Sequence, residues 1–373
     1  MKLFDVYPLY EVCPVRAKDV YVYDEAGTEY LDLYGGHAVI SVGHSHPHYV
    51  KQLEKQLNKI AFYSNAVLNP LQQKLAEEIG EQSCLHNYQL FLCSSGAEAN
   101  ENALKLASFH TGKKRIIAFK NSFHGRTSAA VAVTDNQKIN APLNQQQEVT
   151  FIHFNDLEGL ENELKEEDVC AVIFESIQGV GGLDIPDDEF VIGMNTLCHK
   201  YNTCLIADEV QSGFSRSGKF FAFQHNNIQP HVITMAKGMG NGFPIGGILV
   251  HPDLKPKHGM LGTTFGGNHL ACTASLAVLE IIKKNKLQQH AESMDAYFRA
   301  KAEKISGAKI KGRGLMLGLE FNFEVGPLRK RLIYEKNIFT GGSSKKNVLR
   351  ILPPLTVQKE HFDRFFDALE DLL

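Results

Sequence analysis

The sequence lacks several features that would assign it to a common class of protein. Tryptophan is absent, and 39 Lys plus Arg residues against 42 Asp plus Glu residues leave a net charge of −3. Because binding along a nucleic-acid backbone needs a basic face, this near-balance argues against nucleic acid as the main partner. No apolar run approaches the ~18 residues of a membrane-spanning helix, so we expect no membrane partner.

The first residues also lack the apolar run of a secretory signal, since Asp5 and Glu11 interrupt them. Seven cysteines are scattered along the chain, and no C-x-x-C motif occurs. An odd number of scattered cysteines is typical of reduced thiols and argues against a disulfide framework or a zinc site. We therefore expect a cytoplasmic protein that binds no metal.

Short apolar runs alternate with amphipathic segments through the middle of the 373-residue chain. The runs are rich in β-branched or aromatic residues and end near polar or glycine-rich turns, which is typical of buried strands. Between them, residues 97–110 and 187–201 place apolar side chains at helical spacing. This alternation predicts an α/β fold with a mostly parallel sheet covered on both faces. The seven predicted strands are 89–93, 115–119, 149–154, 170–175, 203–208, 231–236 and 246–250.

The two ends of the chain have a different pattern. Their predicted elements are a hairpin over 18–34 that turns at Glu25-Ala26-Gly27, a long helical stretch over 269–306, strands over 314–321 and 348–353, and a final helix over 357–373. We expect both ends to form one smaller α+β domain beside a large α/β domain. The expected boundaries are 1–50 and 265–373 for the small domain and 51–264 for the large one.

Two charged residues stand at the ends of predicted strands, where open α/β sheets usually hold ligands. Asp208 ends the apolar run TCLIAD, and a buried carboxylate is costly without a partner. Two interpretations are open. Asp208 is either a structural acid that caps a helix or forms a salt bridge, or a carboxylate held against a cationic ring nitrogen. Lys237 follows HVITMA and opens the loop KGMGNGFPIGG. It suits either a solvated loop lysine or a buried amine whose lowered pKa makes it nucleophilic.

A third segment, SSGAEAN (94–100), links a predicted strand to a helix. Small residues before a helix leave backbone N–H groups free to bind an anion, and the helix dipole strengthens the attraction. A capping box between Ser95 and Glu98 explains the pattern equally well. Neither a Walker motif nor G-x-G-x-x-G occurs here or after residue 237, so a nucleotide is disfavoured. An anion cradle, a buried acid and a reactive amine together suit pyridoxal 5'-phosphate (PLP) as cofactor.

Longer segments connect these residues to a known family. They are LDLYGGHAVISVGHSHPHYV, YSNAVLNPLQQKLAEEI, SSGAEANENALKLA, NSFHGRT, VIFESIQGVGG, LIADEVQSGFSRSGKFFAFQHNNIQPHVITMAKGMGNGFPIGG and TTFGGNHLAC. On these segments, which span nearly the whole chain, the sequence resembles the class III (ornithine-type) aminotransferases of PLP-dependent transferase fold type I. Within that family it is most similar to the acetylornithine aminotransferases. The blocks DEVQxGFxRxG and K-G-x-G-x-G-F-P-x-G are the most specific.

The resemblance implies cofactor contacts at matching positions. Lys237 would form the covalent bond to the PLP aldehyde, and Asp208 would face the pyridine nitrogen. Phe123 would stack on the cofactor ring, and Val210 would pack against its other face. The other implied contacts are the phosphate loop Ser95, Gly96 and Ala97, Gln211 near the phenolic oxygen, Glu175 near Asp208, and Thr264 at the phosphate of the neighbouring subunit. The last contact implies a homodimer with shared active sites.

The resemblance also implies how carboxylate substrates are held. Arg126 in FHGRT and Arg350 in VLRILPPL match two family arginines that bind carboxylates, which suits bidentate guanidinium groups. For Arg350 the alternative is a strand-end charge without a ligand. Asn65 in YSNAV matches an entrance loop that touches the ligand. Two positions depart from the family: Val180 replaces the glutamate that screens the second arginine in many relatives, and His37 replaces an apolar residue.

The implied reaction is transfer of the δ-amino group of an N-acylornithine, such as acetylornithine, to 2-oxoglutarate, in arginine biosynthesis. The departure at Val180 weakens an assignment to ornithine or 4-aminobutyrate. The alternatives are another class III transaminase, such as one for succinylornithine, and a PLP-fold binding module without catalysis. His44, His46 and His48 alternate at a spacing that can bind metal, but the family carries this turn without one.

Overall fold

The computed structural model describes residues 1–373 and contains fourteen strands and eleven helices. The strands are β1 (Pro14–Lys18), β2 (Tyr21–Asp24), β3 (Glu29–Asp32), β4 (Gln89–Cys93), β5 (Arg115–Phe119), β6 (Val149–Ile152), β7 (Val169–Glu175), β8 (Cys204–Asp208), β9 (Val232–Met235), β10 (Gly246–Val250), β11 (Lys309–Arg313), β12 (Met316–Glu320), β13 (Ile338–Phe339) and β14 (Val348–Ile351). The helices are α1 (Gly35–Ala38), α2 (Pro47–Leu57), α3 (Pro70–Ser83), α4 (Gly96–Thr111), α5 (Ser128–Ala132), α6 (Leu157–Leu164), α7 (Asp188–Lys200), α8 (His269–Lys284), α9 (Leu287–Ala302), α10 (Gly326–Lys336) and α11 (Lys359–Leu372).

A seven-stranded sheet occupies the centre, in the order β4-β10-β9-β8-β7-β5-β6. Only β10 runs antiparallel to its neighbours, and the other pairs are parallel. The predicted α/β fold with a mostly parallel sheet is therefore confirmed, and each predicted strand is present. Every residue of β7 and β8 is buried, because helices cover both faces of the sheet.

The predicted helices over 97–110 and 187–201 are confirmed as α4 and α7. The predicted inward face of α4 is buried and consists mostly of alanine, which lets the helix lie close to the strands. The predicted apolar face of α7 is also buried. These faces are formed by Ala99, Ala103, Leu106 and Ala107 on α4, and by Phe190, Met194, Leu197 and Cys198 on α7.

The chain ends build two smaller sheets, in the orders β1-β2-β3-β13 and β11-β12-β14. The predicted hairpin is present as β2 and β3, and Gly27 in its turn has a φ of +83°. The helical stretch predicted over 269–306 is present as two helices, α8 and α9. They are separate because Lys286 adopts a left-handed φ of +50° between them. The domain boundaries at residues 50 and 264 stay a prediction.

One buried arginine joins the chain ends to the central sheet. Arg216 lies in the loop after β8 and donates hydrogen bonds to the carbonyls of Ile40, Leu315 and Pro353. Burial lowers the pKa of this guanidinium to about 9. The three carbonyls belong to both ends of the chain, so Arg216 helps to hold both ends over the carboxyl edge of the sheet. No helix is long and apolar enough to cross a membrane.

We predict that Phe298→Ala destabilises the protein by about 3–5 kcal/mol, the usual cost of a large cavity in a core. Phe298 on α9 is fully buried and contacts the rings of Phe362 and Phe366 on α11. The measurement is the free energy of unfolding or, if unfolding is irreversible, the melting temperature. Phe109→Ala is the control, since Phe109 is 58% exposed. Equal effects of the two substitutions would contradict the packing described here.

Candidate active site

The carboxyl ends of the central parallel strands open into a cavity of about 230 Å³. Glu175 ends β7, Asp208 ends β8, and Lys237 follows β9 after one residue. Glu175 and Asp208 lie side by side in the sheet, because they are register partners. The cavity is lined by Gly96, Ala97, Asn100, Phe123, His124, Gly125, Arg126, Glu175, Val180, Asp208, Val210, Gln211 and Lys237.

Asp208 is buried and fully hydrogen-bonded. Its Oδ2 accepts from His124 Nδ1 at 2.7 Å and from Asn100 Nδ2 at 2.8 Å, and its Oδ1 accepts from the Val210 N–H at 3.0 Å. Burial alone would raise the pKa of Asp208, but the hydrogen bond and charge of His124, with the other two donors, hold it below its ordinary value. The group is therefore an ionised carboxylate at neutral pH.

Glu175 lies beside Asp208 in a different electrostatic state. Its two oxygens accept from the N–H groups of Phe123 and Gly179, each at 2.9 Å. Burial raises the pKa of Glu175 to about 7; His124 opposes this shift and the charge of Asp208 adds to it. Two adjacent carboxylates thus have separated pKa values, since only Asp208 accepts hydrogen bonds from His124 and Asn100.

Lys237 has the geometry of a constrained, desolvated amine. Its φ is +46°, a left-handed value that is uncommon outside glycine, and it begins a short 3₁₀ turn over 237–239. Although part of the residue faces the cavity, burial lowers the pKa of its amine, and the charges of Asp208 and Glu175 oppose this shift. A lower pKa increases the fraction of neutral amine, which is the nucleophilic form.

The start of α4 borders the same cavity. Gly96 and Ala97 line it, whereas Ser95 lies on the exposed side and caps the helix by accepting from the Glu98 N–H at 3.2 Å. Glu98 accepts from the Ser94 N–H and not from that of the cap residue Ser95, so only the Ser95 half of the predicted capping box is present. The cap satisfies one first-turn N–H only, and the remaining N–H groups at the start of α4 are available to an anion.

Close packing explains the glycine in this turn. A methyl group at Gly96 would lie 2.6 Å from Cγ1 of Val210, so only glycine lets the loop after β8 approach α4. Gln211, next to Val210, donates to the His37 carbonyl at 3.0 Å, while its buried Oε1 has no partner. Phe123 lines the cavity, and the centroid of its ring is 6.0 Å from the guanidinium carbon of Arg126.

The second predicted arginine lies beside the cavity rather than on its wall. Arg350 on β14 is buried and donates to the carbonyls of Gly179 and Gly342. It has no carboxylate partner, and Val180, where the family resemblance implies a glutamate in many relatives, lines the cavity. Both interpretations of Arg350, a group that binds a substrate carboxylate and a strand-end charge without a ligand, therefore stay predictions.

Two predicted site residues lie outside the cavity of a single chain. Asn65 is exposed and donates to the carbonyl of Gly266 at 3.0 Å, and Thr264 is exposed nearby. Neither lines the cavity that contains Lys237. Contact between these residues and a ligand therefore requires a second subunit or a movement of the loop.

Sequence reasoning placed neither Asn100 nor His124 in contact with Asp208. Both contact Asp208 directly, and Asn100 also donates to the His124 carbonyl at 2.7 Å. The sequence contained one indication of this role of Asn100. It follows Gly96 by four residues, which places both on one face of α4.

The three alternating histidines have separate partners. His44 pairs with Asp32 at 2.8 Å, His48 pairs with Glu280 at 2.7 Å, and His46 caps α2. No group of three or more His, Cys, Asp or Glu side chains is arranged to hold a metal ion.

Comparison with known proteins identifies the family of this site. Residues 5–373 match the protein family described as Aminotransferase class-III. The chain belongs to this family. It is 38% identical to the acetylornithine aminotransferase of Aquifex aeolicus over 369 residues, or 96% of each chain. Identity is 39% to that of Archaeoglobus fulgidus, over 98% of this chain and 97% of the relative, and 37% to that of Bacillus subtilis, over 100% and 97%.

Solved structures agree with this assignment. The ornithine aminotransferase of Toxoplasma gondii is similar with a TM-score of 0.91 and 27% identity, over 98% of this chain and 91% of that chain. An S-selective transaminase from Arthrobacter sp. also has a TM-score of 0.91, over 100% of this chain and 95% of that chain. At 23% identity the second likeness supports the fold alone.

Class-III aminotransferases are PLP-dependent enzymes, and the residues present fit that cofactor. A desolvated amine, an ionised acid and a helix N-terminus border one cavity. Buried polar atoms of Gln211, Asn100 and His124 lack partners there, as expected of a pocket that completes its hydrogen bonds with a polar ligand.

The raised pKa of Glu175 predicts a pH-dependent stability of the protein freed of cofactor. Because the folded-state pKa of about 7 exceeds the ordinary 4.5, protonation favours folding, and this stabilisation is lost as pH rises from 4.5 through 7. Glu175→Gln cannot titrate. We expect its melting temperature, minus that of the unsubstituted protein, to increase between pH 5 and pH 8. A difference that stays constant with pH would contradict the raised pKa.

Proposed function

We propose that the protein is an N-acylornithine aminotransferase that transfers the δ-amino group of a donor such as acetylornithine to 2-oxoglutarate, in arginine biosynthesis. The observation that carries this proposal is that Lys237, Asp208 and Arg126 line one cavity at the carboxyl ends of the parallel strands. The 37–39% identity to enzymes that bear this name supports the choice of substrate.

Bound PLP supplies an aldehyde and a ring that accepts electrons from the substrate carbon. In this proposal the Nζ of Lys237 would hold the cofactor through its aldehyde. When free, the same Nζ would take the proton from the δ-carbon of the substrate. The lowered pKa of Lys237 supports both tasks, because each needs a neutral amine close to neutral pH.

Asp208 would keep the ring nitrogen protonated. A carboxylate with a lowered pKa stays ionised, and His124 and Asn100 hold it in one orientation. The start of α4, with Gly96 and Ala97, would bind the phosphate, and Phe123 and Val210 would enclose the ring on its two faces.

The arginines support a carboxylate-bearing donor and acceptor. Arg126 is exposed on the cavity wall without an ion-pair partner, and Arg350 lies beside the cavity without a carboxylate. 2-Oxoglutarate carries two carboxylates, so this pair of guanidinium groups suits it. The second candidate donor is ornithine, because an ornithine aminotransferase shares the fold at a TM-score of 0.91. A panel of amine donors, assayed by glutamate formation, separates the two candidates.

We further propose a cytoplasmic homodimer with shared active sites. Thr264 and Asn65 lie outside the cavity of their own chain, and exposed apolar side chains surround them, which supports burial against a second copy. These side chains include Phe62, Leu68 and Phe265. The seven free cysteines support a reducing compartment.

We predict that Lys237→Ala abolishes formation of glutamate from acetylornithine and 2-oxoglutarate. It should also abolish the covalent PLP adduct that borohydride reduction followed by mass spectrometry detects on the peptide containing residue 237. The physical reason is that no other amine lines the cavity. Lys283→Ala, at an exposed position on α8, is the control and should keep both signals. An adduct or turnover retained without Lys237 would rule out its assignment.

We predict that a hybrid dimer of Lys237→Ala and Thr264→Glu subunits regains about half of the unsubstituted activity, since one of its two sites is intact if the sites are shared. Each variant alone should be inactive, because one lacks the amine and the other places a carboxylate against the phosphate. Two different affinity tags allow purification of the hybrid. A hybrid as inactive as its parents would contradict the shared site.

A further inference from the structure

Two arginines meet beside the active-site cavity. Arg350 donates from Nε to the Gly342 carbonyl, and a methyl group added at Gly342 would lie 2.6 Å from Nη1 of Arg329. Both guanidinium groups therefore contact the same glycine. Arg329 belongs to α10 and Arg350 to β14, so this approach is a product of the folded chain end.

An aromatic pair completes the group. The Tyr34 hydroxyl hydrogen-bonds to Nδ1 of His37, and their ring centroids are 4.7 Å apart. A methyl group at Gly341 would lie 2.8 Å from the Tyr34 ring and 3.1 Å from Cβ of Arg350. We call Tyr34, His37, Arg329 and Arg350 the arginine cluster. It presents two cations and two polar rings around Gly341 and Gly342.

The arginine cluster lacks an anion. Neither arginine has an ion pair with a carboxylate; Arg329 donates only to the Thr340 carbonyl at 3.0 Å, and its buried Nε has no partner. Burial lowers the pKa of Arg350 and the charge of Glu175 opposes this shift, but the Glu175 oxygens already accept from two backbone N–H groups. Arg350 is buried and Arg329 is half-buried, and a buried cation without a counter-charge is costly, so a ligand anion would stabilise this arrangement.

The pKa of His37 agrees with an excess of positive charge. Although His37 keeps an exposed surface, neighbouring protein atoms desolvate its ring, and the charges of Arg350, Lys237 and Arg329 add to that effect. Its pKa falls to about 4. The imidazole is therefore neutral at pH 7, and the cluster carries the charge of its two guanidinium groups.

The arginine cluster adjoins the cavity through two backbone carbonyls. Gln211 lines the cavity and donates to the His37 carbonyl at 3.0 Å. Val180 also lines it, and the carbonyl of the preceding Gly179 accepts from Nη1 of Arg350 at 2.8 Å. A substrate that extends from the cavity beyond Gln211 and Val180 would meet the arginine cluster, although none of its four side chains lines the cavity itself.

Resting on the proposed function, we infer that Arg329, with Tyr34 and His37, forms a subsite for a second carboxylate on the amine donor. Arg126 and Arg350 suffice for the two carboxylates of 2-oxoglutarate, and an ornithine with a neutral acyl group has only one. The third guanidinium, that of Arg329, would bind the free carboxylate at the end of the acyl chain of an N-acylornithine. The preferred donor is then a dicarboxylate such as N-succinylornithine rather than N-acetylornithine.

The test is steady-state kinetics of the PLP-loaded enzyme with N-succinylornithine and N-acetylornithine, at saturating 2-oxoglutarate. We expect the unsubstituted enzyme to have the higher kcat/KM for the succinyl donor. Arg329→Leu should lower that value about 10- to 100-fold, mainly through KM, as expected for lost hydrogen bonds to a charged group. Its kcat/KM for the acetyl donor and its KM for 2-oxoglutarate should stay within about twofold.

Two further variants separate charge from structure. Arg329→Lys keeps the charge without the planar fork and should retain part of the preference. Arg331→Leu, on the same helix α10, removes an arginine that pairs with Glu335 at the surface and should change neither donor. If Arg329→Leu does not fold, the unsubstituted enzyme and Arg329→Lys decide the question.

Three results would overturn the inference: a preference of the unsubstituted enzyme for the acetyl donor, equal loss with both donors in Arg329→Leu, or an effect confined to 2-oxoglutarate. Failure of the proposed function has a different signature, because glutamate would then form from neither N-acylornithine.

Discussion

The site depends on a carboxylate that stays ionised although it is buried at the end of a strand. Taking such a group out of water costs several kcal/mol unless donors surround it. Asp208 has three donors, and they come from α4, from the segment before α5 and from its own loop. A change in the packing of α4 against the sheet would weaken the hydrogen bond from Asn100 and so raise the pKa of Asp208.

The same constraint explains how two neighbouring carboxylates differ. Glu175 and Asp208 are register partners and both are buried, yet Glu175 accepts only backbone N–H groups whereas Asp208 also accepts from an imidazole. Lys237 is desolvated opposite both of them. The result is one ionised acid, one acid whose pKa is near 7, and an amine whose pKa is lowered. Burial is common to all three, and hydrogen bonding distinguishes them.

Much of the central sheet was predictable because the sequence pattern is local. The run VCAVIF before Glu175 is apolar throughout, and a strand covered on both faces buries every residue of it. The chain ends were less predictable. The turn at Lys286 is a left-handed residue without a glycine or proline to signal it, so α8 and α9 read as one stretch. Asn100 was not singled out because its spacing from Gly96 places it on one face of α4 but does not show whether its side chain is solvated or donates to Asp208.

The sequence by itself determined the strands, the glycine-rich turns and the residue types at strand ends, since each depends on neighbours only a few positions away. It also determined the family, through motifs that cover most of the chain. Tertiary structure alone decided which polar groups meet: Asn100 and His124 on Asp208, Arg329 beside Arg350, and Thr264 outside the cavity. The physical reason is that charge and hydrogen bonding act over a few ångströms in space, whereas these partners are separated by 21 to more than 100 positions along the chain.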